Sequence, residues 1–135
     1  MRLAAARMFA QRATIEAMAD QSHVICASDA LEEKGRGVRF SIDYHGHSAP
    51  AFVVRFEGAV HGYLNRCSHV PMELDWTEGE FFDSTRRDLL CSTHGAAYET
   101  TTGRCVWGPC RNTPLVKLNL AEREGAVYYE GLQDE

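Results

Sequence analysis

Cys67-Ser68-His69 and Cys91-Ser92-Thr93-His94 place one sulfur donor and one imidazole donor in each of two short boxes. Residues 70 to 90, which is 21 positions, separate them. Thiolates are soft anionic ligands and imidazoles are neutral ones, a donor set that suits zinc or iron. A structural zinc site usually groups its two Cys together and its two His together. Here each box mixes one of each. That order favours a [2Fe–2S] core in which two thiolates hold one iron and two imidazoles hold the other. The chain has only five Cys and six His, so chance placement is a poor explanation. Such a core moves electrons one at a time. Neutral imidazoles in place of two thiolates remove negative charge from the site. The potential therefore rises from about −400 mV, typical of all-thiolate ferredoxins, into a window of about −150 to +300 mV. The outer nitrogens of the imidazoles can lose protons on oxidation, and their hydrogen-bond partners tune that step.

Two short loops fit this task, because each can offer its Cys to one iron and its His to the other. Gly95 allows the backbone to come close behind the second box. Pro71 and the Gly108-Pro109 turn read as rigid pieces that shield the site. On these residues the chain resembles the Rieske-type ferredoxin family, from about Ile25 to Glu130. The matching string is Cys67-Ser68-His69, Leu74, Cys91-Ser92-Thr93-His94-Gly95-Ala96-Ala97-Tyr98, Gly103 and Gly108-Pro109. The resemblance implies a small all-β domain whose ligand loops form a subdomain, with a proline loop over the cluster. It implies Cys67, His69, Cys91 and His94 as ligands of one [2Fe–2S] cluster.

Three departures from the family pattern carry information. The interval between the boxes is longer than in small Rieske ferredoxins. The extra length is placed in Asp75 to Asp83, which reads as an extended hairpin. Met72 and Thr93 stand where respiratory-complex members carry a disulfide pair, so that bridge is absent. Ala96 stands where those members carry a serine that donates to a bridging sulfide. With that donor missing, the potential is expected in the lower part of the Rieske range. Tyr98 occupies the position of their cluster-bonding tyrosine and is expected to raise it slightly. The alternative for Tyr98 is a core aromatic packed under the loop.

The expected function is that of a soluble, cytoplasmic ferredoxin. It would take electrons from a flavin reductase and pass them to a terminal oxygenase, through His69 and His94 at the exposed edge of the cluster. The alternatives are a small subunit of a larger, nitrite-reductase-like enzyme and, less favoured, a non-redox zinc module. In either redox reading the chain is a carrier or subunit rather than a stand-alone catalyst. Val70, Pro71, Met72, Trp107 and Pro109 could form an apolar collar around the imidazoles. Trp76, Phe81 and Phe82 offer either a partner patch or packing on the cluster subdomain. If they form the patch, deleting residues 77 to 82 spares the cluster and weakens partner turnover.

Length and charge agree with this reading. A chain of 135 residues suits one domain and leaves no room for a second domain bearing a mononuclear iron. A net charge of −5 without a basic stripe argues against nucleic acid and suits transient docking on a basic partner. Cys105 and Cys110 are expected as free, partly buried thiols, although spacing leaves a disulfide open. No run of ~20 apolar residues could span a membrane. Residues 1–20 are Ala-rich with interleaved Leu3, Phe9 and Ile15, and read as an amphipathic helix outside the domain. They also resemble a targeting segment in composition, and Met18 is an alternative start. The Rieske domain itself is assigned to residues 21–135.

The elements that must hold the boxes are strands. His23 to Cys26, the alternating Val38, Phe40, Ile42 and Tyr44, Ala51 to Phe56 and Ala59 to Leu64 come first. Leu89-Leu90 feeds the second box. Val116, Leu118 and Leu120, then Val127 and Tyr129, alternate around Glu124-Gly125. His45-Gly46-His47-Ser48 reads as a solvated turn rather than a metal site, and His61 as a surface residue. Frequent turns between short strands indicate an antiparallel sandwich or barrel with the ligand boxes inserted at one end.

Overall fold

The computed structural model describes residues 23–67, 72–92, 95–110 and 113–133. The expected N-terminal helix lies outside these residues. Nine strands follow in order: β1 His23–Ala27, β2 Val38–Tyr44, β3 His47–Phe56, β4 Ala59–Leu64, β5 Asp88–Leu90, β6 Ala97–Glu99, β7 Cys105–Trp107, β8 Leu118–Arg123 and β9 Ala126–Leu132. A 3-10 turn covers Ser28–Ala30. The strands form three antiparallel sheets, β1-β9-β8, β2-β3-β4 and β5-β6-β7.

Three hairpins share one local cause. His45-Gly46, Glu57-Gly58 and Glu124-Gly125 each place two successive residues at positive φ, between 52° and 85°. This is the two-residue turn whose twist matches that of paired strands. Each closes a register pair: Tyr44 with His47, Phe56 with Ala59, and Arg123 with Ala126. The first turn is thus two residues long, not four, and β3 begins at His47. His45 and His47 are exposed, as expected of a solvated tip. His61 is instead half-buried against the edge of Phe56, where burial pushes its pKa down.

The first two sheets join where Leu64 N–H donates to the Val116 carbonyl and Tyr63 pairs with Lys117. β3 is the shared wall of the molecule. Ala51, Phe52, Val53 and Val54 are all fully buried. Successive side chains on a strand point to opposite faces, so a continuous buried run means both faces are covered. Ala51 packs with Ile42, Leu64, Leu118 and Tyr129, and Val53 with Leu31 and Val127. Phe52 and Val54 face the other way, into a core with Phe81, Leu89, Tyr98, Cys67 and Cys91. One strand thereby ties the barrel to the inserted subdomain.

The segment 75–83 is not a hairpin. It meets β5 through the bridge from Phe82 to Leu89, the bond from Leu90 N–H to the Phe81 carbonyl and the bond from Asp83 N–H to the Asp88 carbonyl. The three aromatics separate. Phe81 is fully buried and stacks on Phe52 at 3.8 Å between ring centroids, whereas Trp76 is 79% exposed. Phe82 is half-buried beside Phe56. Deleting residues 77 to 82 would therefore remove a core side chain rather than a dispensable tip.

Across the barrel, Arg55 grips Glu122 with two hydrogen bonds of 3.1 and 2.5 Å and also donates to the Leu31 and Ser28 carbonyls. The Arg55 bond holds the Glu122 carboxyl below its ordinary value of 4.5. A depressed folded-state pKa contributes stability that is present above the unfolded value and lost as pH falls through the folded one. Glu122→Gln is expected to cost about 1 kcal/mol near neutrality, and the deficit should shrink in acid. Denaturant titrations of both proteins across that range check this. A deficit that does not change with pH would rule out the ion pair as its source.

Candidate metal centre

The two thiol positions lie at strand ends. Cys67 follows β4 and Cys91 follows β5, and both are buried in one core cluster. Local backbone bonds close each loop. Cys67 N–H donates to the Met72 carbonyl at 2.7 Å. Cys91 N–H donates to the Ala96 carbonyl, and Gly95 N–H returns a bond to the Cys91 carbonyl, both at 2.8 Å. Ser92 N–H then reaches across to the Leu74 carbonyl at 3.1 Å, which ties the second loop to the first. The structure therefore places Cys67 and Cys91 in one core cluster, on loops tied by that bond. His69 and His94 lie outside the described residues, as do Val70, Pro71 and Thr93.

A buried polar clasp holds the first loop. The Asn65 side chain accepts from Leu74 N–H and donates to the Asp75 carboxylate, at 2.9 and 3.0 Å. Asp75 also accepts from Gly79 N–H and lies 3.6 Å from the Arg39 guanidinium on β2. Each buried donor and acceptor thus has a partner, which a loop between core strands requires. Sequence reasoning missed this pair. The available signal was a polar residue two positions before Cys67, in line with an apolar strand.

Tyr98, on β6, is fully buried with its hydroxyl 3.4 Å from Cys67 Sγ. It is both a core aromatic and a polar neighbour of the Cys67 sulfur. A thiolate bound to iron has no proton to give, so the hydroxyl would donate. That bond stabilises the electron-rich reduced state. At roughly 1 kcal/mol it corresponds to about 40 to 50 mV for one electron. Tyr98→Phe should lower the midpoint potential by that order in a dye-mediated titration, and an unchanged potential would remove Tyr98 from the site.

The third loop differs from expectation. Cys105, on β7, and Cys110 form a disulfide with Cα atoms 5.6 Å apart. The expectation of free thiols fails because β7 turns back on itself within five residues. That fold-back brings two side chains together which sequence spacing could not orient. Cys26 sits far off on β1, half-buried, and burial pushes its thiol up to about 11. Within the third loop Gly108 lies tight on the second box. A Cβ there would come within 2.9 Å of Ala96 Cα and 3.1 Å of the Gly95 carbonyl oxygen. Gly108 also has φ of 93°, so glycine is needed twice over. Of the expected collar, Met72, Trp107 and Pro109 are exposed.

Two buried thiols on cross-bonded loops, with a hydroxyl beside one of them, suit an iron–sulfur centre. Comparison with known families agrees. The sequence model for the Rieske [2Fe-2S] domain matches residues 21–122, and the chain belongs to that family. It carries one Rieske-type [2Fe–2S] cluster. Among solved structures, a chain from the complex of reduced oxygenase and oxidized ferredoxin in carbazole 1,9a-dioxygenase is similar. It has a TM-score of 0.66 and 22% identity, over 84% of this chain and 96% of that one. The ferredoxin of carbazole 1,9a-dioxygenase from Nocardioides aromaticivorans IC177 gives 0.62 and 22%, over 82% and 97%. A Sphingomonas yanoikuyae B1 ferredoxin gives 0.61 and 19%, over 79% and 95%. No curated protein sequence matches the chain.

Proposed function

We propose that this protein is a freestanding one-electron carrier, a cytoplasmic Rieske ferredoxin that passes electrons from a flavin reductase to a terminal oxygenase. In this reading Cys67 and Cys91 hold one iron of the cluster, and His69 and His94 hold the other. When bound, the cluster supplies a single reversible redox step in the Rieske range. The chain's own residues hold the two thiolates in a dry core, offer the Tyr98 hydroxyl to one of them, and keep water away with Leu74, Ala96 and Cys110, all fully buried.

The observation that carries the reading is the pair of buried thiols on loops joined by the Ser92–Leu74 bond. The family match and the fold shared with ferredoxin chains support it. Among the described residues no helix is long and apolar enough to cross a membrane. Trp76, exposed on the longer first loop, keeps one alternative in play, a subunit held permanently by a larger reductase. Isolation from its native host separates the two, since a carrier leaves alone and a subunit leaves with its partner.

A pH-resolved redox titration monitored by EPR tests the carrier reading. The expected result is a Rieske signal in the lower part of the range from about −150 to +300 mV, flat with pH near neutrality. A high potential that falls with pH there would point to quinol-oxidising chemistry. A redox-silent protein would end the proposal.

A further inference from the structure

The Cys105–Cys110 disulfide is placed where its state can act on the cluster site. It closes the loop that carries Trp107 and Gly108, and the Gly108 backbone presses on Gly95 and Ala96. The Trp107 ring lies over Gly95, 3.6 Å from the position a Cβ would take. The two sulfurs are unequally placed. Cys110 is fully buried in the same core cluster as Cys67 and Cys91, whereas Cys105 is half-buried. Cys105 also lines an open groove of about 650 Å³ between Arg104, Val106, Trp107 and Thr113. The groove gives a nucleophile access to one sulfur from outside, and the exposed Arg104 cation favours the approach of a thiolate.

We propose that Cys105–Cys110 is a thiol–disulfide exchange site, attacked at Cys105 by a dithiol reductant, whose oxidation state sets how firmly loop 105–110 closes on the second ligand box. The reductant's thiolate attacks Cys105 Sγ and forms a mixed disulfide. The bond between Cys105 and Cys110 breaks, and Cys110 leaves as a thiolate that takes up a proton. The reductant's second thiolate then attacks its own sulfur in the mixed disulfide and releases Cys105, which is protonated in turn. Two electrons and two protons reach the cysteine pair, and the dithiol departs as its disulfide. The freed loop opens more often, because the cross-link no longer limits its excursions. Water then reaches the cluster side of Gly95 and Ala96. Added solvent favours the more negative reduced cluster, so the potential rises. This effect on the cluster rests on the carrier reading, whereas the exchange chemistry does not.

The test uses the full-length holoprotein under anaerobic conditions, with and without dithiothreitol. Cysteines are alkylated and mapped by mass spectrometry, iron release to a chelator is timed, and the midpoint potential is titrated. Cys105 and Cys110 should resist alkylation until the dithiol is added. Iron release should then quicken by about tenfold, and the potential should rise. The Cys105→Ser/Cys110→Ser double variant should reproduce the reduced state and ignore the dithiol. If that variant does not assemble, the dithiol-treated wild type still decides. Alkylation of both cysteines before any reductant would overturn the proposal, as would an iron-release rate or a potential identical in the two forms. The alkylation map is independent of the metal. A redox-silent site would therefore be recognised as failure of the carrier reading, separate from failure of the exchange site.

Discussion

Replacing Cys67 or Cys91 by serine is expected to leave a colourless protein with almost no bound iron and no Rieske EPR signal. Serine keeps the size of the side chain, so packing in the subdomain core changes little. The change is chemical. A serine hydroxyl stays protonated near neutrality, and its hard oxygen is a poor substitute for a soft thiolate on an iron–sulfur core. Both positions are almost wholly buried, which limits access of a replacement donor from solvent. Cluster binding is expected to contribute to folding as well, because it would cross-link the two loops. The apparent thermal midpoint should fall together with the iron content. Alanine in place of His69 or His94 should abolish the signal too. Cys26→Ser is the control. Cys26 is half-buried on β1 and packs with the barrel core, so that variant should keep its full iron. Full iron in Cys67→Ser would move the centre elsewhere.

The second large effect is on stability. Phe81→Ala should cost about 3 to 5 kcal/mol in denaturant unfolding, the range for truncating a buried aromatic. Phe81 stacks on Phe52 with an interplanar angle of 10° and closes the face of β3 that looks toward the ligand loops. A Cβ at Gly37 would lie 2.8 Å from the Phe81 ring, so the backbone on that side is already in contact and cannot collapse further into the gap. Trp76→Ala is the paired measurement. With that ring 79% exposed, its loss should change stability by no more than about 0.5 kcal/mol. Equal costs at the two positions would contradict the division between a core aromatic and a surface one. Phe81→Ala should also loosen the ligand loops and speed iron loss, whereas Trp76→Ala should act only on partner turnover.

Glu122→Gln and Tyr98→Phe are smaller and more local. One reads the Arg55 grip across the barrel, the other the electron density at Cys67. They separate the scaffold from the site, because Arg55 and Glu122 join barrel elements while Tyr98 belongs to the inserted subdomain.

The local features of this protein were decided by the sequence. Ligand types and their order identify the metal chemistry, because few centres accept one thiolate and one imidazole from each of two boxes. All three two-residue turns could be read as turns, because His45-Gly46, Glu57-Gly58 and Glu124-Gly125 interrupt strand-like runs, although the first reads as four residues, His45 to Ser48, and is two. Alternation along β2 is visible because one face of the strand is more buried than the other, whereas Ala126 to Tyr129 in β9 are buried on both faces. The strands β6 and β7 escaped notice, since three residues are too few to show a period.

What only the tertiary structure decided depends on partners distant in the chain. Composition cannot rank Trp76, Phe81 and Phe82, three aromatics within seven residues. Phe81 is in the core because Phe52, 29 positions earlier, presents a flat face to it. The Asn65–Asp75 clasp needs two polar side chains to meet inside a dry core, which no periodicity reports. Pairing of Cys105 with Cys110 required the fold-back after β7. That same fold-back lays Gly108 against Ala96, so the geometry that joins the two sulfurs also seats the third loop on the second.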